Sequence, residues 1–148
     1  MVLGLKLCIE LVPTTSFYKN LRTTISSQEW DIIRKGCYAE YNHICGICGS
    51  EGRLECHEIW EYNNDTHVQK LIGFIALCGM CHKVKHIGLS EILALKGKLN
   101  MSDIISHFMT VNICSRYEFE QHKEESFKLW RERSKYNWKL DLSKYIRS

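Results

Sequence analysis

Two pairs of cysteines with metal-ligand spacing stand out in this sequence. Each pair has the form Cys-Gly-x-Cys, and the pairs are Cys45 with Cys48 and Cys78 with Cys81. This spacing lets both sulfurs of a pair face one ion while backbone amides point at the thiolates, and two such pairs complete a tetrahedral site. The sequence therefore predicts a structural zinc ion with four thiolate ligands. Such a site is closed, so the ion cannot itself activate water.

A second group of side chains could bind a metal or transfer a proton. His57 and Glu58 are adjacent between the two cysteine pairs, and His82 and His86 follow the last cysteine. A zinc ion held by both pairs would pin together the chain segments that carry these residues, so the groups would converge on one small unit. The sequence thus indicates a candidate site beside the predicted zinc.

The elements that must position these residues follow from turn residues and strand-forming side chains. Residues 53–62 and 67–77 are rich in strand formers, and the Asn-Asn-Asp run at 63–65 favours a turn between them, so we predict a β-hairpin. A short helix then begins at Cys78 and ends near Gly88. The hairpin would carry His57 and Glu58, and the helix would carry His82 and His86.

The flanks read as mostly helical. Ser26 and Glu29 form a capping-box pattern, which predicts a helix over about 27–42. Residues 3–12 are predicted to form a strand that ends at Pro13. The other predicted elements are helices at about 90–98, 102–112 and 115–136, and a final strand or extended cover at 138–146.

Length, composition and cysteine usage limit the class of protein. A chain of 148 residues with one proline and no linker-like stretch suits a single domain over residues 1–148. Lys6 and Glu10 interrupt the apolar opening, so we expect no secretory signal and no membrane span, and a cytoplasmic location. In that compartment, metal ligation explains paired cysteines better than disulfides do.

The run CxxC, LECHEI and LCxxCHxxKH resembles the HNH nuclease family, also called the ββα-metal or His-Me finger family. The resemblance covers about residues 43–88 and is followed by a helical flank at 89–136. It implies an α+β fold in which a zinc-braced β-hairpin and a short helix form a ββα-metal core with flanking helices. It also implies a metal-dependent endonuclease that acts on nucleic acid, with double-stranded DNA as the expected partner.

The resemblance implies roles for individual residues. It places His57 and His82 as ligands of a catalytic divalent ion, Mg²⁺ or another cation such as Mn²⁺, and Glu58 as the general base. His86 would be a supporting group or a further ligand. Lys83 and Lys85 would contact phosphate, with a solvated charge as the alternative for each.

Two departures from the family pattern keep a second interpretation open. The base position holds Glu58 where histidine is common, and Gly73 stands where the family places an asparagine, for which Gln69 could substitute. A zinc-binding module that contacts nucleic acid or protein without catalysis is therefore the alternative, and a redox or metal-storage role is a third. The net charge of +3 is compatible with a nucleic-acid partner but does not require one. The oligomeric state is left open.

Two aromatic residues continue the first predicted strand beyond the candidate site. Trp60 and Tyr62 lie on the same strand as His57. We expect them to pack in the core, and stacking on nucleic acid is the alternative.

Overall fold

The β-hairpin forms where turn chemistry predicts it in the computed structural model, which describes residues 4–146. Strand β1 (Leu54–Asn63) pairs antiparallel with β2 (Val68–Cys78). The Asn63 side chain closes the turn, because its Oδ1 accepts hydrogen bonds from the backbone amides of Asp65 and Thr66, both at 3.0 Å. The predicted hairpin is confirmed.

Six α-helices surround the hairpin within residues 4–146, so the fold is α+β as predicted. None of the described helices has the length and apolar character needed to span a membrane. The helices are α1 (Leu21–Thr24), α2 (Ser27–Glu40), α3 (Gly79–Lys85), α4 (Ile87–Leu95), α5 (Met101–Asn112) and α6 (Arg116–Arg133).

The predicted capping box of α2 is present. Ser26 Oγ accepts a hydrogen bond from the Glu29 amide at 3.1 Å, and the Glu29 carboxylate accepts from the Ser26 amide at 3.2 Å.

The predicted end of α3 near Gly88 differs from the end that the structure shows. The chain bends at His86, and α4 begins at Ile87, so Gly88 lies inside a helix rather than ending one.

The sheet gains a short third strand near the C-terminus. Strand β3 (Lys139–Asp141) pairs parallel with β2, which gives the order β1-β2-β3 over the described residues. The prediction of a strand in this region is confirmed for three residues. Strand β1, which carries His57, is therefore at the edge of the sheet.

The N-terminal segment has no regular secondary structure within residues 4–12, so the strand predicted over 3–12 is wrong for the described part; residue 3 lies outside it. Three of its backbone amides bond to side chains, and the Glu10 amide donates to the Lys85 carbonyl at 3.0 Å. Asn112 Oδ1 accepts hydrogen bonds from the amides of Lys6 and Leu7 at 2.8 and 2.9 Å. His122 Nε2 accepts one from the Ile9 amide at 2.9 Å.

One hydrophobic core joins the N-terminal segment to the hairpin and the later helices. Leu7, Leu77, Val84 and Phe108 are fully buried in it, and the rings of Phe108 and Phe119 meet edge to face at 5.1 Å. The buried cysteines of both pairs, Cys45 and Cys81, belong to the same cluster. The cysteine pairs are thus built into the core of the fold.

Candidate metal centres

The four paired cysteines come together at one place, between the loop after α2 and the start of α3. The sulfurs of Cys45, Cys48, Cys78 and Cys81 all lie within 4.8 Å of one another, and Cys48 Sγ lies 3.6 Å from Cys78 Sγ. Tetrahedral zinc with Zn–S bonds of ~2.3 Å requires sulfurs about 3.8 Å apart. The spacing of the sulfurs therefore suits a single zinc ion.

Backbone amides point at these sulfurs. The amides of Ile47 and Cys48 each lie 3.5 Å from Cys45 Sγ, and the Cys81 amide lies 3.4 Å from Cys78 Sγ. Burial alone would raise the pKa of Cys45, but backbone hydrogen bonds outweigh it and lower the pKa to about 7. Burial and the charge on neighbouring sulfurs raise the pKa of Cys81. A cation among the four sulfurs would favour their thiolate forms.

The first cysteine pair requires glycine for a steric reason. The Gly46 amide donates to the Ala76 carbonyl at 2.8 Å, which ties the pair to β2. A Cβ atom on Gly46 would lie 2.7 Å from Tyr41 Cε1 and 2.9 Å from Ile75 Cγ1. Only glycine fits between these side chains without displacing them.

Three histidines form a second candidate metal centre. A ligand nitrogen from each of His57, His82 and His86 lies within 4.8 Å of the other two. His57 comes from β1, His82 lies on α3, and His86 follows the last residue of that helix. Their ring centroids are 4.7 to 5.4 Å apart. The structure thus brings both sequence-predicted ligands together and adds His86 to them.

Two carboxylates orient the rings of His57 and His82. Glu10 Oε2 lies 2.9 Å from His57 Nε2, and the Glu55 carboxylate bonds to His82 Nδ1. Each bond fixes the ring and leaves its second nitrogen for an ion, as is usual for metal-binding histidines. Sequence reasoning missed both glutamates. Glu55 precedes His57 by two residues on the same strand face, which was a usable signal, but Glu10 is distant in sequence.

Glu10 is shared with a buried lysine. Lys85 Nζ lies 2.6 Å from Glu10 Oε1, and Lys85 is only 6% exposed. Burial alone would raise the pKa of Glu10, but the His57 hydrogen bond and the Lys85 charge lower it to about 2. Lys85 therefore neutralises Glu10 and is not the solvated charge named as the alternative, whereas its contact with phosphate stays a prediction. Lys83 is half-buried on α3 and does not line the cavity beside the histidines.

His82 and His86 are held in the neutral form that binds metals. Burial lowers the pKa of His86 to about 3, with the charges of His57 and His82 contributing. Burial also lowers the pKa of His82. Neutral imidazoles can donate a lone pair to a cation without first losing a proton.

Glu58 points away from the three histidines. Its Oε1 accepts hydrogen bonds from the Leu21 amide at 2.9 Å and the Arg22 amide at 3.3 Å, at the start of α1. Successive side chains of a strand point to opposite faces, which explains why Glu58 and His57 diverge. Burial raises the pKa of Glu58, against the effect of these hydrogen bonds. Among residues 4–146, no hydrogen-bond donor contacts its Oε2.

Gln69 does not replace the missing asparagine. It is fully buried opposite Tyr62 in the hairpin, and its Oε1 accepts a hydrogen bond from Ser16 Oγ at 2.7 Å. Glu58 pairs instead with Phe74, several residues along the sheet. Gly73 lies opposite Ile59, beside an irregularity in the strand register.

A cavity of about 640 Å³ adjoins the three histidines along the open edge of β1. Glu58 borders the cavity from the side of α1. The other walls come from the N-terminal segment, the residues just before α1, and helices α1, α2, α4 and α6, and they are rich in aromatic and basic side chains. Its lining includes His57, His82, His86, Trp30, Trp60, Tyr62, Trp130, Arg22 and Arg133.

Comparisons of the chain with protein-family models, with curated proteins and with solved structures found no match. The resemblance to HNH nucleases therefore stays a prediction. The side chains and geometry of the two candidate metal centres are therefore the basis for a proposed function.

Proposed function

We propose that the protein is a metal-dependent endonuclease of the HNH type, which hydrolyses phosphodiester bonds in nucleic acid. The observation that carries this proposal is the cluster of His57, His82 and His86, placed by a strand and the helix that follows the hairpin. The elements β1, β2 and α3 follow one another as a ββα-metal core requires. The adjoining Cys₄ cluster suits the zinc brace that the resemblance implies.

The three histidines would hold one catalytic cation. When bound, a divalent cation would neutralise charge on the phosphate and lower the pKa of a water molecule. Three protein ligands leave coordination positions open, in contrast to the closed cysteine cluster. An all-imidazole set favours Mn²⁺, Zn²⁺ or a similar transition metal over Mg²⁺, which prefers oxygen ligands.

The protein's own groups would fix the geometry. Glu10 and Glu55 hold the rings of His57 and His82, so little reorganisation is needed when substrate arrives. Glu58 remains the proposed general base. One of its oxygens is fixed by the α1 amides, and the other is available for a proton from a water in the cavity that it borders.

One observation favours a second candidate function. Glu58 is engaged by α1 and is not directed at the three histidines. A protein that binds nucleic acid or a partner protein through a zinc-braced unit, without catalysis, would tolerate this arrangement.

Cleavage assays separate the two candidates. Zinc-loaded protein is incubated with plasmid and with labelled oligonucleotides in the presence of Mg²⁺ or Mn²⁺. We expect cleavage that is lost in His82→Ala and retained in the control His43→Asn, since His43 is exposed, lies outside the cluster and has a left-handed φ of 61° that asparagine tolerates. Uncut substrate with every cation, or full activity in His82→Ala, would refute the proposal.

A further inference from the structure

An exposed pair of aromatic side chains marks the rim of the cavity beside the histidines. Phe17 and Tyr18 are 44% and 83% exposed, and their rings meet edge to face with centroids 4.9 Å apart. Both line the cavity, together with the exposed Lys19 that follows them. Exposed aromatic rings next to a basic side chain are suited to stack on bases while the charge attracts the backbone.

The interior of the cavity is also lined by aromatic and basic side chains. Trp60 and Tyr62 were expected to pack in the core. They are instead half-buried along β1 and line the cavity. The Arg133 guanidinium lies over the Tyr62 ring, 4.1 Å from its centroid, and that of Arg22 lies 5.8 Å from the Trp30 centroid. Arginines stacked on aromatic rings offer planar cations to bases and phosphates alike.

The size and position of the cavity indicate whether a single-stranded or a double-stranded substrate would fit. Its volume of about 640 Å³ is in the range of small-ligand sites and would take a nucleotide. His57, His82 and His86 form part of the wall of the cavity. The nucleoside attached to a phosphate bound at these histidines would therefore lie in the cavity. The faces of bases in a duplex are covered by their neighbours, so aromatic side chains can reach only an unpaired base.

We infer that the cavity binds an unpaired nucleotide next to the cleaved phosphate, so that the substrate is single-stranded or locally unpaired nucleic acid. This inference rests on the proposed nuclease function and replaces the continuous DNA duplex expected from the sequence. DNA and RNA share the recognised features, a base with a π-face and an anionic backbone.

Binding without cleavage tests the inference directly. Full-length zinc-loaded protein, with no other divalent cation added, is titrated into labelled single-stranded DNA, the matching RNA and the matching DNA duplex. We expect a single strand to bind more tightly than the duplex. We also expect quenching of tryptophan fluorescence, since three of the four tryptophans, Trp30, Trp60 and Trp130, line the cavity.

A double variant locates the binding to the aromatic rim. Phe17→Ala/Tyr18→Ala should weaken single-strand binding by roughly 5- to 150-fold per stacked base that is lost. The matched control is Tyr117→Ala, which removes a 69% exposed tyrosine of α6 outside the cavity and should leave binding unchanged. Zinc content and circular dichroism should stay normal in both, because the deleted rings are exposed.

The outcomes separate this inference from the proposed function. Duplex binding as tight as single-strand binding, or wild-type binding by a folded Phe17→Ala/Tyr18→Ala variant, would overturn the inference even if the protein cleaves DNA. Rim-dependent binding of single strands without cleavage under any cation would support binding of an unpaired nucleotide in the cavity, but it would refute the nuclease and with it the placement beside a cleaved phosphate. The DNA and RNA arms show which polymer the protein prefers.

Discussion

His82 shows how a single hydrogen bond could set metal affinity. Its Nδ1 is bonded to Glu55, which fixes the ring and leaves Nε2 for an ion. We predict that Glu55→Ala lowers the affinity of the histidine cluster for Mn²⁺ by roughly 10- to 100-fold, as is typical when such a supporting partner is removed. Calorimetric titration of zinc-loaded protein with Mn²⁺ measures this affinity.

The matched control for this prediction is Glu61→Ala. Glu61 is exposed on the same strand, four residues beyond His57, and is adjacent in sequence to no candidate ligand. It should bind Mn²⁺ as the wild type does. Equal affinities in wild type, Glu55→Ala and Glu61→Ala would show that Glu55 has no role in positioning His82.

Glu58 allows a test of the general base that preserves local structure. Glu58→Gln keeps an oxygen for the amides of Leu21 and Arg22 but cannot take a proton. We predict that turnover falls by roughly 10²- to 10⁴-fold while Mn²⁺ binding is unchanged. Single-turnover cleavage kinetics measure the effect, with Glu61→Gln as the control. Normal turnover would remove Glu58 from the mechanism, and loss of Mn²⁺ binding would make it a ligand.

At the scale of elements, the two cysteine turns differ although their sequences are alike. A Cβ on Gly46 would lie under 3 Å from Tyr41 and Ile75, whereas one on Gly79 would meet only Lys83 Nζ at 3.4 Å. We predict that Gly46→Ala lowers the free energy of unfolding by about 1–3 kcal/mol through overpacking. Gly79→Ala, at the first position of α3, should be neutral or slightly stabilising. Denaturant unfolding of both zinc-loaded variants checks this, and equal stabilities would contradict the packing argument.

The contact between the N-terminal segment and α6 should depend on pH. His122 Nε2 accepts a hydrogen bond from the Ile9 amide, and burial lowers the pKa of His122. In the unfolded chain the pKa is ~6.5, so below that pH the unfolded state takes up a proton that the folded state resists. The stabilisation is therefore complete above that pH and is lost as the pH falls toward the folded pKa. An NMR titration of His122 should give a midpoint below 6.5, and a higher midpoint would contradict this.

Local patterns predicted the elements better than the contacts between them. The capping box at Ser26 and the turn at Asn63 placed α2 and the hairpin, because both signals act within a few residues of sequence. The strand predicted for the N-terminal segment is wrong, because the hydrogen-bond partners of its amides include the side chains of Asn112 and His122, more than a hundred residues away. Composition alone cannot separate an irregular segment held by side chains from a strand held by a sheet.

The candidate site divides in the same way. Motif spacing placed the four cysteines and His57 with His82, and the structure groups them as two clusters. Motif spacing could not reveal that Glu10 contacts His57 from a segment distant in sequence, or that Glu58 bonds to the start of α1. The opposite directions of His57 and Glu58 follow from strand geometry, but what occupies each face depends on tertiary packing.

At the scale of the whole molecule, the two candidate metal centres share one framework. The cysteine cluster ties the loop after α2 to the start of α3, and α3 carries His82 toward His57 on the hairpin. Zinc at the cysteines would thus fix the distance between the elements that form the histidine cluster. Binding of that zinc is expected to be coupled to folding, since a preformed site is absent from an unfolded chain.

The most direct test is metal occupancy measured by anomalous X-ray diffraction on crystals of zinc-loaded protein soaked in Mn²⁺. We predict one zinc ion among Cys45, Cys48, Cys78 and Cys81 and a separate Mn²⁺ ion bound by His57, His82 and His86. A zinc peak at the cysteines with no metal at the histidines, in Mn²⁺ and again in excess Zn²⁺, would contradict the proposed catalytic centre.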